Sequence, residues 1–71
     1  MSDDAYETCR FVRRYFAKNG YLPARSMLGS DEYVDALVRN GVIELLPLYE
    51  SGPLIKAALT DKGRRMASER R

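Results

Sequence analysis

The stretch that decides the fold spans residues 30–59 and reads SDEYVDALVRNGVIELLPLYESGPLIKAAL. Ser30 can cap a helix, because its hydroxyl accepts a hydrogen bond from a free backbone N–H of the first turn. Acidic residues follow it, where negative charge suits the positive end of the helix dipole. Gly41 can adopt the left-handed conformation that ends many helices. The pattern predicts a helix over residues 31–40.

This predicted helix has an apolar arc and a polar arc when its residues are placed about 100° apart. We expect the apolar arc to face the core, and it consists of Tyr33, Val34, Leu37 and Val38. We expect the polar arc to face solvent, and it consists of Asp31, Glu32, Asp35, Ala36 and Arg39.

Two strands and a tight loop are predicted after the helix. Residues 42–49 are rich in β-branched and aliphatic side chains, and residues 54–59 alternate, with Ala57 on the apolar side. Glycine and proline between them, in residues 50–53, are typical of a turn. Pro47 donates no backbone hydrogen bond, so it favours an edge position or a bulge near the tip of the hairpin.

A first helix is predicted to run to about Asn19, where Asn19-Gly20 ends it. Its apolar side consists of Thr8, Cys9, Phe11, Val12, Tyr15 and Phe16, and its other side of Glu7, Arg10, Arg14 and Lys18. The basic stripe of that second side has two interpretations, a solvated helix face or a binding surface for phosphate or an acidic protein.

The remaining segments are short. Tyr21-Leu22-Pro23 is expected to be extended, because the residue before a proline avoids the helical region. Residues 24–28 are long enough for a short helix of about one turn, which Gly29 ends. Thr60 can cap a last helix, and Gly63 inside it indicates either tight packing or a weak helix. Residues 1–4 and 68–71 are expected to be mobile tails.

Composition limits the functional classes. The 71 residues are enough for one small domain, so we expect a single domain over residues 1–71. There is no run of the roughly 20 apolar residues that a membrane span needs and no signal peptide, and Cys9 is the only cysteine, so we expect a cytoplasmic protein. Histidine is absent, which argues against a zinc site of the usual ligands. We therefore expect no metal, no cofactor and no small-molecule ligand.

The sequence also lacks the motifs that are typical of enzyme active sites. There is no glycine-rich phosphate loop and no nucleophile with an adjacent base, so we expect no catalytic residues and no enzymatic activity.

The order of elements and three short motifs resemble the winged helix-turn-helix family. Residues 35–43, DALVRNGVI, look like the end of a recognition helix that enters a wing strand. Residues 58–64, ALTDKGR, are similar to a segment of MarR-like regulators, and residues 19–23, NGYLP, are similar to a turn of LexA-like domains. Together these motifs span about 50 residues. The resemblance implies an α+β winged-helix domain with three helices, a β-hairpin wing and a short C-terminal helix.

The family implies DNA binding, with the helix of residues 30–40 in the major groove and the loop of residues 49–53 as the wing. The charges oppose this function. Affinity for DNA comes mainly from Lys and Arg that neutralise phosphates, whereas this helix exposes three carboxylates beside Arg39. The wing has no basic residue and is apolar with an acidic tip, which suits a protein contact better.

Two functions therefore stay open. The first is a non-enzymatic transcription regulator, similar in size to phage-type regulators, that contacts a protein such as RNA polymerase. Its candidate partner-binding surface consists of Asp31, Glu32, Asp35, Arg39, Leu48, Tyr49 and Leu54. The second is a repressor or regulator that binds duplex DNA through basic residues. The candidate basic surface consists of Arg10, Arg13, Arg14, Lys18, Arg25 and Lys56.

Overall fold

The computed structural model describes residues 3–47 and 55–69. Within them the chain is a small α+β domain with three α-helices and a two-stranded antiparallel sheet. The order of elements is α1 (Asp3–Asn19), a 3-10 helix (Arg25–Met27), α2 (Asp31–Arg39), β1 (Ile43–Pro47), β2 (Ile55–Leu59) and α3 (Asp61–Ser68).

Both predicted caps are present. Ser30 Oγ accepts a hydrogen bond from the backbone N–H of Tyr33 at 3.2 Å, which satisfies a free donor of the first turn of α2. Thr60 Oγ1 does the same for Gly63 at the start of α3, at 3.1 Å. Gly41, with φ 73°, ends α2 as the sequence predicts.

The end of α2 is fixed by two backbone hydrogen bonds across Gly41. The N–H of Gly41 donates to the carbonyl of Val38 and the N–H of Val42 donates to that of Leu37, both at 3.0 Å. This pair of bonds defines a Schellman motif, which satisfies carbonyls that the helix leaves free. It also turns the chain directly into β1.

The two strands pair with Ile43 opposite Leu59 and Pro47 opposite Ile55. Pro47 ends β1, which agrees with the edge position expected for a residue without an N–H donor. The predicted turn of residues 50–53 and the strand ends at Leu48, Tyr49 and Leu54 lie outside the described residues.

The short helix predicted over residues 24–28 is a single 3-10 turn, Arg25–Met27. Pro23 and Ala24 pair with β2 and do not join this turn. The carbonyl of Pro23 accepts from the N–H of Ala57 at 3.0 Å, and Ala24 forms a β-bridge with Lys56. Gly29 then leaves the helical region, with φ 141°. Only one helical turn fits between these two constraints.

α1 packs against α3 and β2, and α2 packs against β1. The buried apolar residues of this core are Ala5, Cys9, Val12, Leu28, Val34, Leu37, Val42, Ile43, Ala57, Met66 and Ala67. The core prediction for Val38 was wrong, because this residue is 36% exposed, and Phe16, on the apolar side of α1, is 51% exposed. Ser68, predicted to begin a mobile tail, is the last residue of α3.

Gly63 lies at a close contact between α3 and the chain at Val42. A Cβ atom there would overlap the carbonyl oxygen of Val42 and would lie 3.1 Å from Leu59 Cδ2. Of the two interpretations that the sequence left open, tight packing is therefore confirmed.

We predict that Gly63→Ala destabilises the domain, because the overlapping atom is backbone and cannot move aside as a side chain can. Overpacking should outweigh the helix propensity that alanine adds, with a net loss of about 1–2 kcal/mol in the free energy of unfolding. Urea denaturation followed by circular dichroism measures this loss. Arg65→Ala, which adds alanine at an exposed position of the same helix, is the matched control. Equal stability of the two variants would contradict the packing assignment.

The buried thiol of Cys9 makes the stability of the domain depend on pH. Burial raises the pKa of this thiol, and the charge of Arg10 opposes the shift. Above the ordinary thiol pKa the unfolded chain loses this proton while the folded chain keeps it, so this group lowers stability as pH rises through that window. We predict that urea midpoints of the wild type fall more steeply with alkaline pH than those of Cys9→Ala. Parallel pH curves for the two proteins would contradict this assignment.

Candidate functional site

The exposed side of α2 is acidic. Asp31, Glu32 and Asp35 all point to solvent, as predicted, while Val34 and Leu37 on the opposite side are buried. The capping bond of Ser30 fixes where the helix starts, and so fixes the positions of these carboxylates. We call the exposed residues Asp31, Glu32, Asp35, Val38 and Arg39 the α2 face.

Arg25 belongs to this face rather than to a basic surface. Its guanidinium lies 3.1 Å from the Asp31 carboxylate, whose side chain is 77% exposed. Glu32 and Asp35 have no ion-pair partner among residues 3–47 and 55–69. Within the described residues, two carboxylates of the α2 face therefore form no ion pair.

Val38 was predicted to lie in the core but stands at the edge of the α2 face. The predicted apolar arc from Tyr33 to Val38 spans about 140° at about 100° per residue, which is wider than the contact between α2 and its neighbours. Tyr33, at the other end of this arc, is half-buried and its hydroxyl hydrogen-bonds with Thr8 Oγ1 at 2.7 Å. An exposed valine among carboxylates is consequently part of the surface that α2 presents.

The predicted site has a second half that lies outside the described residues. Leu48, Tyr49 and Leu54 were proposed to extend the partner-binding surface into the wing loop. The described half consists of Asp31, Glu32, Asp35 and Arg39, which share one helix face.

The six residues of the candidate basic surface are divided among several parts of the molecule. Arg10 pairs with Glu7 at 3.3 Å, and Arg13 donates to Ser68 Oγ of α3 at 3.1 Å. Arg25 pairs with Asp31. The other three, Arg14, Lys18 and Lys56, have no ion pair within the described ranges.

A chain of aromatic contacts joins α1 to the segment that follows it. The ring centroids of Phe11 and Tyr15 are 5.7 Å apart, those of Tyr15 and Tyr21 are 5.8 Å apart, and Lys56 Nζ lies 5.3 Å from the centre of the Tyr21 ring. The sequence placed Phe11 and Tyr15 on the apolar side of α1, and both are half-buried, with Phe11 packed against the core. The sequence feature that could have predicted this cluster is Gly20. Its φ of 80° turns the chain back, so that Tyr21 contacts α1.

Among its concave surfaces, the described part of the molecule has an open groove of about 480 Å³ between α1, β2 and α3. Phe16, Leu22 and Leu59 line it, and Arg13 and Arg64 lie at its rim. Arg64 pairs with Asp61 and donates to the carbonyl of Leu59, so much of its bonding capacity is used within the protein.

Residues 3–47 and 55–69 contain neither a membrane-spanning helix nor a metal site. No helix there is both long and apolar enough to cross a membrane. No group of three or more His, Cys, Asp or Glu side chains in those residues is arranged to hold a metal ion.

Comparison of the chain with protein-family models, with curated protein sequences and with solved structures finds no match.

The contact between Tyr15 and Tyr21 affects the pKa of Tyr15. The pKa of Tyr15 is raised, chiefly because its hydroxyl hydrogen-bonds with Tyr21, with smaller contributions from burial and from the charge of Tyr21. We predict that Tyr21→Phe lowers the pKa of Tyr15 toward the ordinary tyrosine value, because it removes the hydrogen bond and keeps the ring. NMR titration of labelled tyrosine measures the shift. An unchanged titration of Tyr15 would show that the two hydroxyls do not interact.

Proposed function

We propose that this chain is a winged helix-turn-helix domain whose recognition helix, α2, contacts a protein. The scaffold is supported by the order of the elements and by a third extended segment. The carbonyl of Pro23 accepts from Ala57, and Ala24 bridges Lys56, so residues 23–24 lie beside β2 as an extended segment that precedes the short helix. The 3-10 turn would then replace the usual supporting helix.

The single observation that carries the protein contact is the charge of the α2 face. In a winged-helix domain this face enters the major groove, and it would bring Glu32 and Asp35 without cations toward phosphates. Coulomb repulsion would work against binding there, whereas DNA affinity depends on neutralising phosphates. A basic protein surface would instead be attracted to these carboxylates.

The exposed apolar group of the α2 face adds to this argument. Val38 is 36% exposed at the edge of the α2 face, beside the carboxylates, and the centre of a protein interface commonly buries such an apolar group. The partner we propose therefore has an apolar point of contact surrounded by Lys or Arg.

We propose further that the partner belongs to the transcription machinery, with RNA polymerase as the first candidate, and that the action is non-enzymatic. The winged-helix scaffold favours this class of partner, since it is a common scaffold of transcription regulators. The α2 face offers charge and one apolar side chain, which suit contact rather than chemistry.

Duplex DNA is the second candidate, and Arg39 favours it. Arg39 is exposed in the last turn of α2 and has no ion pair in the part of the chain that the structure describes. Lys56 could add a second phosphate contact from β2, but Arg25 is already paired with Asp31. Arg39 alone faces three carboxylates, so we rank DNA below protein.

The test uses two immobilised probes, purified bacterial RNA polymerase holoenzyme and a promoter duplex. We predict that the wild type binds the polymerase and that Glu32→Lys/Asp35→Lys weakens binding at least about tenfold, because each reversal replaces attraction by repulsion. Both residues are exposed and make no side-chain bond within the described ranges, so the fold should persist.

The matched control is Glu44→Lys/Glu69→Lys, which makes the same change of net charge at exposed positions of β1 and after α3. It should bind the polymerase as the wild type does. An equal loss of polymerase affinity in both double variants would show that net charge, and not the α2 face, determines binding. Binding to the duplex alone, abolished by Arg39→Ala, would instead establish the DNA function, and binding to neither probe would reject both candidates.

A further inference from the structure

A second charged surface, which shares no residue with the α2 face, lies on α1, on the turn after it and on β2. It consists of Phe11, Arg14, Tyr15, Lys18, Tyr21 and Lys56, which we call the aromatic–basic patch. The proposed protein contact uses none of these residues, so the two surfaces can be tested independently.

Helix geometry and the turn after α1 bring the patch together. Its four α1 residues, at positions 11, 14, 15 and 18, fall within an arc of about 100° at about 100° per residue. Gly20 reverses the chain and places Tyr21 edge-on to Tyr15, with an angle of 75° between the rings. The β-bridge between Ala24 and Lys56 then brings the Lys56 ammonium over the Tyr21 ring.

The cations of the patch are free to bind an anion. Arg14 and Lys18 are exposed and have neither an ion pair nor a side-chain hydrogen bond among residues 3–47 and 55–69. Glu7 lines the same shallow depression as Phe11 and Arg14, but its charge is paired with Arg10 at 3.3 Å. A ligand therefore meets three cations and one carboxylate that is already neutralised.

The rings of the patch are accessible as well. Tyr21 is 54% exposed, and Phe11 and Tyr15 are half-buried. Lys56 is placed to hold an anion beside a group stacked on Tyr21, because its ammonium already lies 5.3 Å from the ring centre. The patch thus offers ring surfaces and cations side by side.

We propose that the aromatic–basic patch binds single-stranded nucleic acid, with bases stacked on Tyr21 and Tyr15 and phosphates at Arg14, Lys18 and Lys56. Single strands are bound in this way, by aromatic rings that stack on exposed bases and by cations that follow the backbone. A duplex keeps its base faces inside the helix, so it would contact the cations of the patch without stacking on its rings. An acidic peptide would also contact only the cations.

The experiment measures fluorescence anisotropy of labelled oligothymidylate and oligouridylate of about 12 nucleotides. The two strands distinguish DNA from RNA as the source of the ligand. With three phosphate contacts on a single strand, the logarithm of affinity should fall with the logarithm of salt at a slope of about −2, or roughly 20-fold between about 50 and 200 mM. The chain has five tyrosines and no tryptophan, so quenching of tyrosine fluorescence that is lost in Tyr21→Ala reports stacking on Tyr21.

Matched variants separate the rings from the charges. Tyr21→Ala should weaken binding roughly tenfold, while Tyr21→Phe, which keeps the ring, should bind as the wild type does. Arg14→Gln/Lys18→Gln should reduce the salt slope to about −0.7, because one phosphate contact remains. Arg65→Gln removes an exposed arginine of α3 that lies outside the patch and should leave the slope unchanged.

Several outcomes would overturn the proposal. Absence of binding at low salt would remove it entirely. Equal affinity of Tyr21→Ala and the wild type would show that charge alone is responsible. Equal or tighter binding of a duplex, or equal competition by polyglutamate, would show that the patch does not select exposed bases. None of these results bears on binding of the polymerase to the α2 face, which is measured with different variants.

Discussion

The docking of α3 on the chain between α2 and β1 is the constraint on which the rest of the structure depends. The carbonyl of Val42 accepts from the backbone N–H of Thr60 at 3.1 Å and lies 2.9 Å from Thr60 Oγ1. The same carbonyl faces Gly63, where no side chain would fit. Because the N–H of Val42 also closes the Schellman motif of α2, this one residue joins α2, the start of β1 and α3.

This junction explains why a short motif can resemble a family. In residues 58–64, the threonine caps α3 and the glycine allows α3 to approach Val42. Both residues are needed by the packing, whatever the domain binds. The likeness to MarR-like regulators in this segment therefore supports the proposed scaffold and carries little information about the ligand, which depends on side chains elsewhere on the surface.

Local signals in the sequence predicted most of the fold. Ser30, Thr60, Gly20 and Gly41 mark helix ends through bonds and backbone angles that involve only near neighbours, so their roles can be derived from spacing. Val38 could not be placed in this way, because its exposure depends on how far the neighbouring elements reach around α2. The length of the 3-10 turn likewise depends on the pairing of residues 23–24 with β2, which is distant in sequence.

The candidate surfaces also differ in whether they depend on residues near in sequence or on contacts between distant residues. The acidic α2 face was predictable, because it lies on one helix and the period of the helix orders its residues. The aromatic–basic patch was not, because it joins residues of α1 to Tyr21 and Lys56 through a turn and a strand pairing. Counting basic residues along the chain grouped Arg14 with Arg13 and Arg25, yet Arg13 bonds to α3 and Arg25 to Asp31. Which cations stay available to a ligand thus depends on the ion pairs and hydrogen bonds that folding gives them, as Arg13 and Arg25 show.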